Sequence, residues 1–357
     1  MHCRSAQKSQ DKSQDKRDLE THRCLALRLT RPRDCRVIAL SPTYADPNEV
    51  LSAAAYPAVS NARATGDYFH AADQWAVGAT SLFYWALGIL PFKDGFYSSS
   101  NKQVGGQTVG PEKNPDREAL MATLSCAMVG PMDGINLLNK SRTMTTCRAD
   151  GTVLKPDRPV ATEDYCFTAA ARSSMDLGGA GAGACYIYST IADLEGCGPI
   201  KYFYQDRPQT VTMAMAGMGH GALTVYNWYT GTVQALGPPA GGASVDVAAG
   251  YEGHVYAIIT PVLTSGWSFI GEVDKYVTAS ALRFSNFMDA GHGGGGLKVD
   301  VTGVANESVK VCASVGSTLN CKTVAFTAAG VKTVAFCFVF SREGLSGQQM
   351  GPSLADQ

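Results

Sequence analysis

The chain has 357 residues, 45% of them hydrophobic, with 30 Lys or Arg against 31 Asp or Glu and a pI near 6.6. That length and apolar content suffice for two domains, or for one large domain with an appendage, each burying its own core. The balanced charge excludes a global field that draws nucleic acid or anionic lipid, and no apolar run reaches the length of a membrane span, which leaves small neutral ligands as the simplest partners.

Residues 1–36 carry ten Lys/Arg against five Asp/Glu and the near-repeat Ser9-Gln-Asp-Lys-Ser-Gln-Asp-Lys16. They read as a disordered tail, solvated or acting as a basic arm, and lack the apolar core of a signal peptide. The chain as given reads as soluble, with secretion open to a longer product.

From 37 to 134 short apolar runs alternate with helix-like stretches, the pattern of a parallel α/β arrangement. Strands are predicted at Arg36–Leu40, Pro57–Ala64, Leu90–Tyr97 and Cys126–Pro131, and helices at Asp46–Ala55, Asp73–Leu87 and Pro115–Leu124. The last helix is the best marked, with Asn114 as N-cap, Pro115 in the first position and Asp116 and Glu118 in the opening turn. Four strands and three helices in series make half of an eight-fold barrel.

Beyond 135 no helix is predicted. Ten β-rich runs follow, among them Cys185–Ala192, Ile200–Tyr204, Thr210–Ala216, His254–Pro261, Ser308–Val315 and Thr323–Ala328, separated by glycine-rich turns. The alternation in Lys298-Val299-Asp300-Val301 suits a sheet with one wet face, and a β-sandwich over 135–345 is expected, with a second disordered tail at 346–357. Trp267 is expected to anchor the sandwich core. The Gly293–Gly296 run has no Lys-Ser/Thr ending and reads as a turn, not a phosphate loop.

Eleven cysteines include no Cys-x-x-Cys pair and no Cys/His set at zinc spacing, so neither a metal nor another cofactor is expected. Cys126, Cys185 and Cys337 read as small buried hydrophobes, while Cys312 and Cys321 flank Gly316-Ser317 closely enough for a hairpin to pair them. Asn139 and Asn306 head sequons. His70, His220 and His254 lie in no nucleophile-elbow context.

The candidate chemistry lies in the first half. Arg63-Ala-Thr-Gly-Asp67 sets an Arg and a carboxylate four residues apart at a Gly-broken strand end, where barrel enzymes put catalytic acids. The alternative is an ordinary strand-end ion pair. Asp94 and Asp133 follow the next two strands, among the aromatics Phe92, Phe96 and Tyr97. Carboxylates that chelate hydroxyls beside rings that stack on sugar faces suit a carbohydrate site; equally, Asp133-Gly134 can be a turn and the aromatics core.

These pieces resemble the C-terminal part of glycoside hydrolases of the α-galactosidase and raffinose synthase clan. Arg63-Ala-Thr-Gly-Asp67-Tyr68 is similar to the Arg-x-Ser-Asp-Asp-Phe run on barrel strand six. Cys126-Ala-Met-Val-Gly-Pro-Met-Asp133-Gly134 is similar to the strand-eight region, and Cys147-Arg-Ala-Asp-Gly151 to the segment leading into the β domain. The resemblance implies strands five to eight of a (β/α)8 barrel over 37–134, an α-linked glycoside as ligand, Asp67 as general acid/base, and Arg63, Asp94, Phe96 and Asp133 as substrate-binding residues.

Gly66 stands where the family more often carries Asp, and nothing before Arg36 resembles the strand-four Lys-x-Asp that supplies the family's nucleophile. The chain is therefore expected to be inactive alone, either as an incomplete gene product or as a protein that self-associates through open barrel edges. The alternative is a non-catalytic carbohydrate-binding or structural β-sandwich protein. It predicts exposed aromatics on one sandwich face, among Tyr202, Tyr204, Trp228 and Tyr229.

Overall fold

The computed structural model describes residues 39–40, 59–65, 80–101, 111–164, 187–206, 209–219, 221–238, 241–291 and 296–337, together with 51, 55, 68, 77, 166 and 168. Both expected tails, Asp67 and Cys185 lie outside the described residues.

Strands β1 (Ala39–Leu40), β2 (Asn61–Arg63) and β3 (Leu90–Phe92) form a parallel sheet in that order. Parallel neighbours need a crossover connection, and helix α1 (Thr80–Ala86) lies in the one between β2 and β3. The fourth predicted strand is reduced to a parallel bridge between Phe96 and Pro131, with helix α2 (Pro115–Leu124) in the connection. Pro131 has no N–H to donate and Cys126 sits at φ 72, so a continuous ladder cannot form over that run. No sheet closes into a barrel among the described residues.

The β-rich part opens with a departure from expectation, the short helix α3 (Lys140–Thr145), whose N-cap Asn139 accepts from the Arg142 N–H at 3.0 Å. Six strands then form one antiparallel sheet: β4 (Ala161–Thr162), β5 (Ile187–Leu194), β6 (Gly198–Gln205), β8 (Leu223–Asn227), β9 (Val233–Leu236) and β11 (Val255–Pro261), in the order β4-β5-β6-β11-β8-β9. A two-stranded ribbon of β7 (Gln209–Thr212) and β10 (Ser244–Val247) covers one face. The run expected as a strand over Thr210–Ala216 splits after β7 into helix α4 (Met213–Ala216), because Thr212 caps Met215 N–H at 3.2 Å and Gly217, at φ 62, ends the turn.

Successive side chains of the six-stranded sheet serve two cores. Ile187, Phe203, Val225, Val255 and Ala257 pack toward the ribbon, while Tyr188, Tyr202, Tyr204, Tyr226 and Tyr256 point into the main core. Two further sheets complete that core: β12 (Trp267–Glu272), β15 (Glu307–Val315) and β16 (Thr318–Phe326), then β13 (Phe284–Asp289), β14 (Leu297–Gly303) and β17 (Gly330–Phe336). The result is a sandwich-like, β-rich architecture. In β14 Leu297, Val299 and Val301 are buried while Lys298 is exposed, the one-wet-face alternation expected. Trp267 is buried with its ring 5.6 Å from Phe336. The same core also takes in Tyr68, Val77, Phe96 and the apolar face of α2, so the parallel segment is packed onto the β-rich part.

Cys312 and Cys321 face each other across β15 and β16 and are disulfide-bonded; Cys166 is disulfide-bonded too. Cys126 is a buried thiol as expected, but Cys337 is exposed, since it lies just past the end of β17. No helix among the described residues is long and apolar enough to cross a membrane.

The last two sheets share no backbone ladder, and Arg283 joins them. Fully buried, it donates through Nε to Glu272 (2.8 Å), through Nη1 and Nη2 to both oxygens of Glu307 (2.9 and 2.6 Å), and to the Thr302 carbonyl (2.6 Å). Next to Glu272, Gly271 has φ 96 and a Cβ there would stand 2.0 Å from the Thr278 carbonyl oxygen. Gly271→Ala is expected to cost about 3 kcal/mol or more, read from the denaturant midpoint.

Burial pushes Glu307 up, but hydrogen bonds from Arg283 and from the Ala149 and Val304 N–H groups outweigh it and hold it at about 2. Because this lies below the ordinary 4.5, the stabilisation is fully present above about pH 4.5 and is lost as the pH falls through about 2. Glu307→Gln is expected to lower stability at neutral pH by roughly 3–5 kcal/mol and to flatten this acid limb in urea melts run as a function of pH.

Candidate functional site

The carboxyl ends of the parallel strands carry the expected cluster in part. Arg63 closes β2, Asp94 lies two residues past β3, and Arg63 Nη1 stands 3.1 Å from Asp94 Oδ2. Asp94 also accepts from the Tyr68 N–H (3.0 Å) and the Gly95 N–H (2.9 Å), and its own N–H donates to Thr65 Oγ1 (2.9 Å). These bonds sew the loop after β2 to the loop after β3. Asp67 lies outside the described residues; its neighbour Tyr68 is buried, donates to Glu112 and accepts from the Tyr97 N–H at 3.3 Å. Burial, reinforced by Glu112, drives the Tyr68 hydroxyl far above its ordinary value.

Asp133 takes the Ser98 N–H with both carboxylate oxygens (3.0 and 2.9 Å) and Ser99 Oγ at 3.4 Å, which anchors the 94–99 loop from the adjacent segment. Phe96 is 1% exposed and belongs to the main core. Beneath the cluster lies a fully buried ion pair, Lys93 Nζ to Glu118 Oε2 at 2.5 Å, with Nζ also 5.1 Å from the Tyr68 ring centroid and 5.4 Å from that of Phe96. Burial raises the Glu118 carboxyl, and Lys93 pulls it back.

A second polar cluster, not anticipated from the sequence, continues from this loop. Arg142 donates to the Ser98 carbonyl, to Tyr251 Oη (3.2 Å) and to Asp116 Oδ1 (3.4 Å). Asp116 accepts from Tyr276 Oη at 2.5 Å and from Tyr229 Oη at 2.8 Å, and Tyr229 Oη lies 2.5 Å from His254 Nε2. Glu252 accepts the Asp116 and Arg117 N–H groups, each at 2.9 Å. Asn114, expected to cap α2, makes no side-chain capping bond. Glu252 fills that role from 136 residues away.

Burial pushes Glu252 up to about 7 against the pull of those two N–H groups, and burial lowers His254 to about 4. Burial thus favours an uncharged imidazole and a protonated carboxyl in this cluster. No local signal in the sequence marks these roles, since Asp116 and Glu118 stand in the opening turn of α2 beside Arg117. Read as acidic residues that favour the helix N-terminus, they are both buried.

Tyr202 and Tyr204 are 0% exposed, and Trp228 and Tyr229 pack against the core. The exposed aromatic face predicted for a carbohydrate-binding sandwich is therefore not formed by these residues, because the sheet that carries Tyr202 and Tyr204 is covered on both sides. Among the described residues no three His, Cys, Asp or Glu side chains converge as metal ligands. The chain matches no protein-family model and no curated protein.

Removing one partner of a buried ion pair strands the other charge. Lys93→Met is expected to cost about 3–5 kcal/mol, and Lys93→Met combined with Glu118→Leu distinctly less than that single change, as measured by chemical denaturation of the three chains.

Proposed function

We propose that this chain is a glycoside hydrolase-like protein of the α-galactosidase and raffinose synthase type, directed at α-linked glycosides and inactive alone, with Asp67 in the place of the general acid/base. The observation that carries the reading is the Arg63–Asp94 pair at the carboxyl ends of two adjacent parallel strands. Barrel enzymes gather their catalytic side chains at that end, and the three parallel strands and the Phe96–Pro131 bridge follow one another in chain order, as barrel strands do. In this reading Asp94, oriented by Arg63, chelates sugar hydroxyls, Asp133 shapes the adjoining loop, and Phe96 underlies the site from the core.

Residues 37–134 then correspond to barrel strands five to eight, and 135–345 to the β-sandwich that follows. Retaining hydrolysis needs a second carboxylate about 5 Å from the acid/base. No residue of this chain is assigned to that part, so the chain is expected to bind glycosides without turning them over. Calorimetric titration with α-galactosides such as melibiose and raffinose is expected to give saturable binding. Asp94→Ala should weaken that binding at least ~10-fold, about 1.4 kcal/mol, while retaining the far-UV spectrum. Absence of saturable binding by the unaltered chain rejects the proposal.

A further inference from the structure

The turn Tyr251-Glu252-Gly253-His254 closes on the first turn of α2 and carries two titratable side chains into the interior. The Glu252 side chain is 3% exposed and that of His254 1%. Both Glu252 oxygens are already engaged by backbone N–H groups of α2. On the other side, Tyr229 Oη bridges His254 Nε2 and Asp116 Oδ2. A hydroxyl has one proton and a carboxylate can only accept, so Tyr229 donates to Asp116 and accepts from His254.

That assignment puts a proton on Nε2, and burial, which disfavours the charged ring, leaves the neutral Nε2–H tautomer with Nδ1 as a bare acceptor. Among the described residues Nδ1 has no hydrogen-bond partner, and Glu252 Oε2 faces it at 3.9 Å. An ionised carboxylate has nothing to give such an acceptor, whereas a protonated one has the donor it lacks.

We propose that Glu252 and His254 form one buried proton-binding site, in which a single proton resides on Glu252 Oε2 and is directed at His254 Nδ1. Folding then moves this proton from imidazole to carboxyl. In an unfolded chain at about pH 5.5 the imidazole holds it and the carboxylate does not. In the folded chain burial reverses the order, with Glu252 at about 7 and His254 at about 4. The groups that face the pair are Asp116 and Arg117 of α2, Arg142 of α3, Tyr229 and Tyr251, and Tyr204 of β6, whose ring centroid lies 5.3 Å from the imidazole. The negative charge of Asp116 favours the proton, and Arg117 and Arg142 oppose it.

Each group alone makes folding pH-dependent, in opposite senses. The raised Glu252 contributes stability that is full below about 4.5 and lost as the pH rises through about 7. The lowered His254 contributes stability that is full above about 6.5 and lost as the pH falls through about 4. Between about pH 4.5 and 6.5 the folded and unfolded chains hold the same one proton on this pair, and the two slopes cancel.

Urea unfolding of the unaltered chain, Glu252→Gln, His254→Gln and the double variant tests this across that window. Relative to the double variant, the unfolding constant of Glu252→Gln should rise about tenfold for each pH unit of acidification. That of His254→Gln should rise about tenfold for each unit of alkalinisation, and the unaltered chain should run parallel to the double variant. Four parallel profiles overturn the proposal. Nitrogen-15 NMR of the unaltered folded chain gives a test independent of variant folding. At about pH 5.5, His254 should be neutral with Nδ1 accepting a hydrogen bond, and an imidazolium signal overturns the proposal.

Discussion

The parallel segment and the β-rich part meet around one buried carboxylate. Asp116, at the second position of α2, accepts hydroxyls from Tyr229 and Tyr276 and faces the guanidinium of Arg142, groups that come from three different stretches of chain. A charge removed from water is tolerable only when several donors replace its hydration. Once those donors are in place, their own positions are fixed as well. Tyr276 is held within the core, Tyr229 is aimed at His254, and Arg142 is held against the loop that carries Ser98 and, four residues earlier, Asp94. The strand-end cluster is thus built from the β-rich side as much as from its own strands.

The same device recurs at two other joints where elements meet without a shared backbone ladder. Arg283 spans β12, β14 and β15, and Lys93 with Glu118 ties the end of β3 to α2. Apolar contact alone permits sliding, because dispersion and area burial are weakly directional. A buried ion pair permits one arrangement, since any other leaves a charge without a partner. Such pairs add little net stability over an apolar replacement but strongly disfavour misalignment, and here they stand at the joints.

The acid pair at the start of α2 has a further physical consequence. Asp116 is hydrogen-bonded at the helix N-terminus and Glu252 caps the same turn, so two carboxylates occupy one positive end. Burial first, and repulsion from Asp116 after it, set Glu252 apart from an ordinary capping residue, and the bare Nδ1 of His254 lies beside it. Helix capping and proton binding therefore fall on one side chain.

Local pattern alone determined much of this chain. The bounds of α2, the two-residue periodicity of β14, the Cys312–Cys321 pairing across a Gly-Ser turn and the chain order of the parallel strands all follow from spacing and turn chemistry that act over a few residues. Four strands of the six-stranded sheet were legible as strands, but their apolar runs concealed that both faces are covered, and the short edge strands β4 and β9 were not read at all. Helix α3 was hidden because Asn139 reads equally as a sequon and as an N-cap. Arg63 and Asp94 were legible as polar residues at or just past strand ends. That they pair with each other was decided by the parallel register of β2 and β3. Asp116, Glu118, Glu252 and His254 carry no local mark of their roles, since burial and partners more than a hundred residues away define Asp116, Glu252 and their neighbours. Only the tertiary structure brings those groups together, because the free energy of a charge or a proton is set by what surrounds it in space.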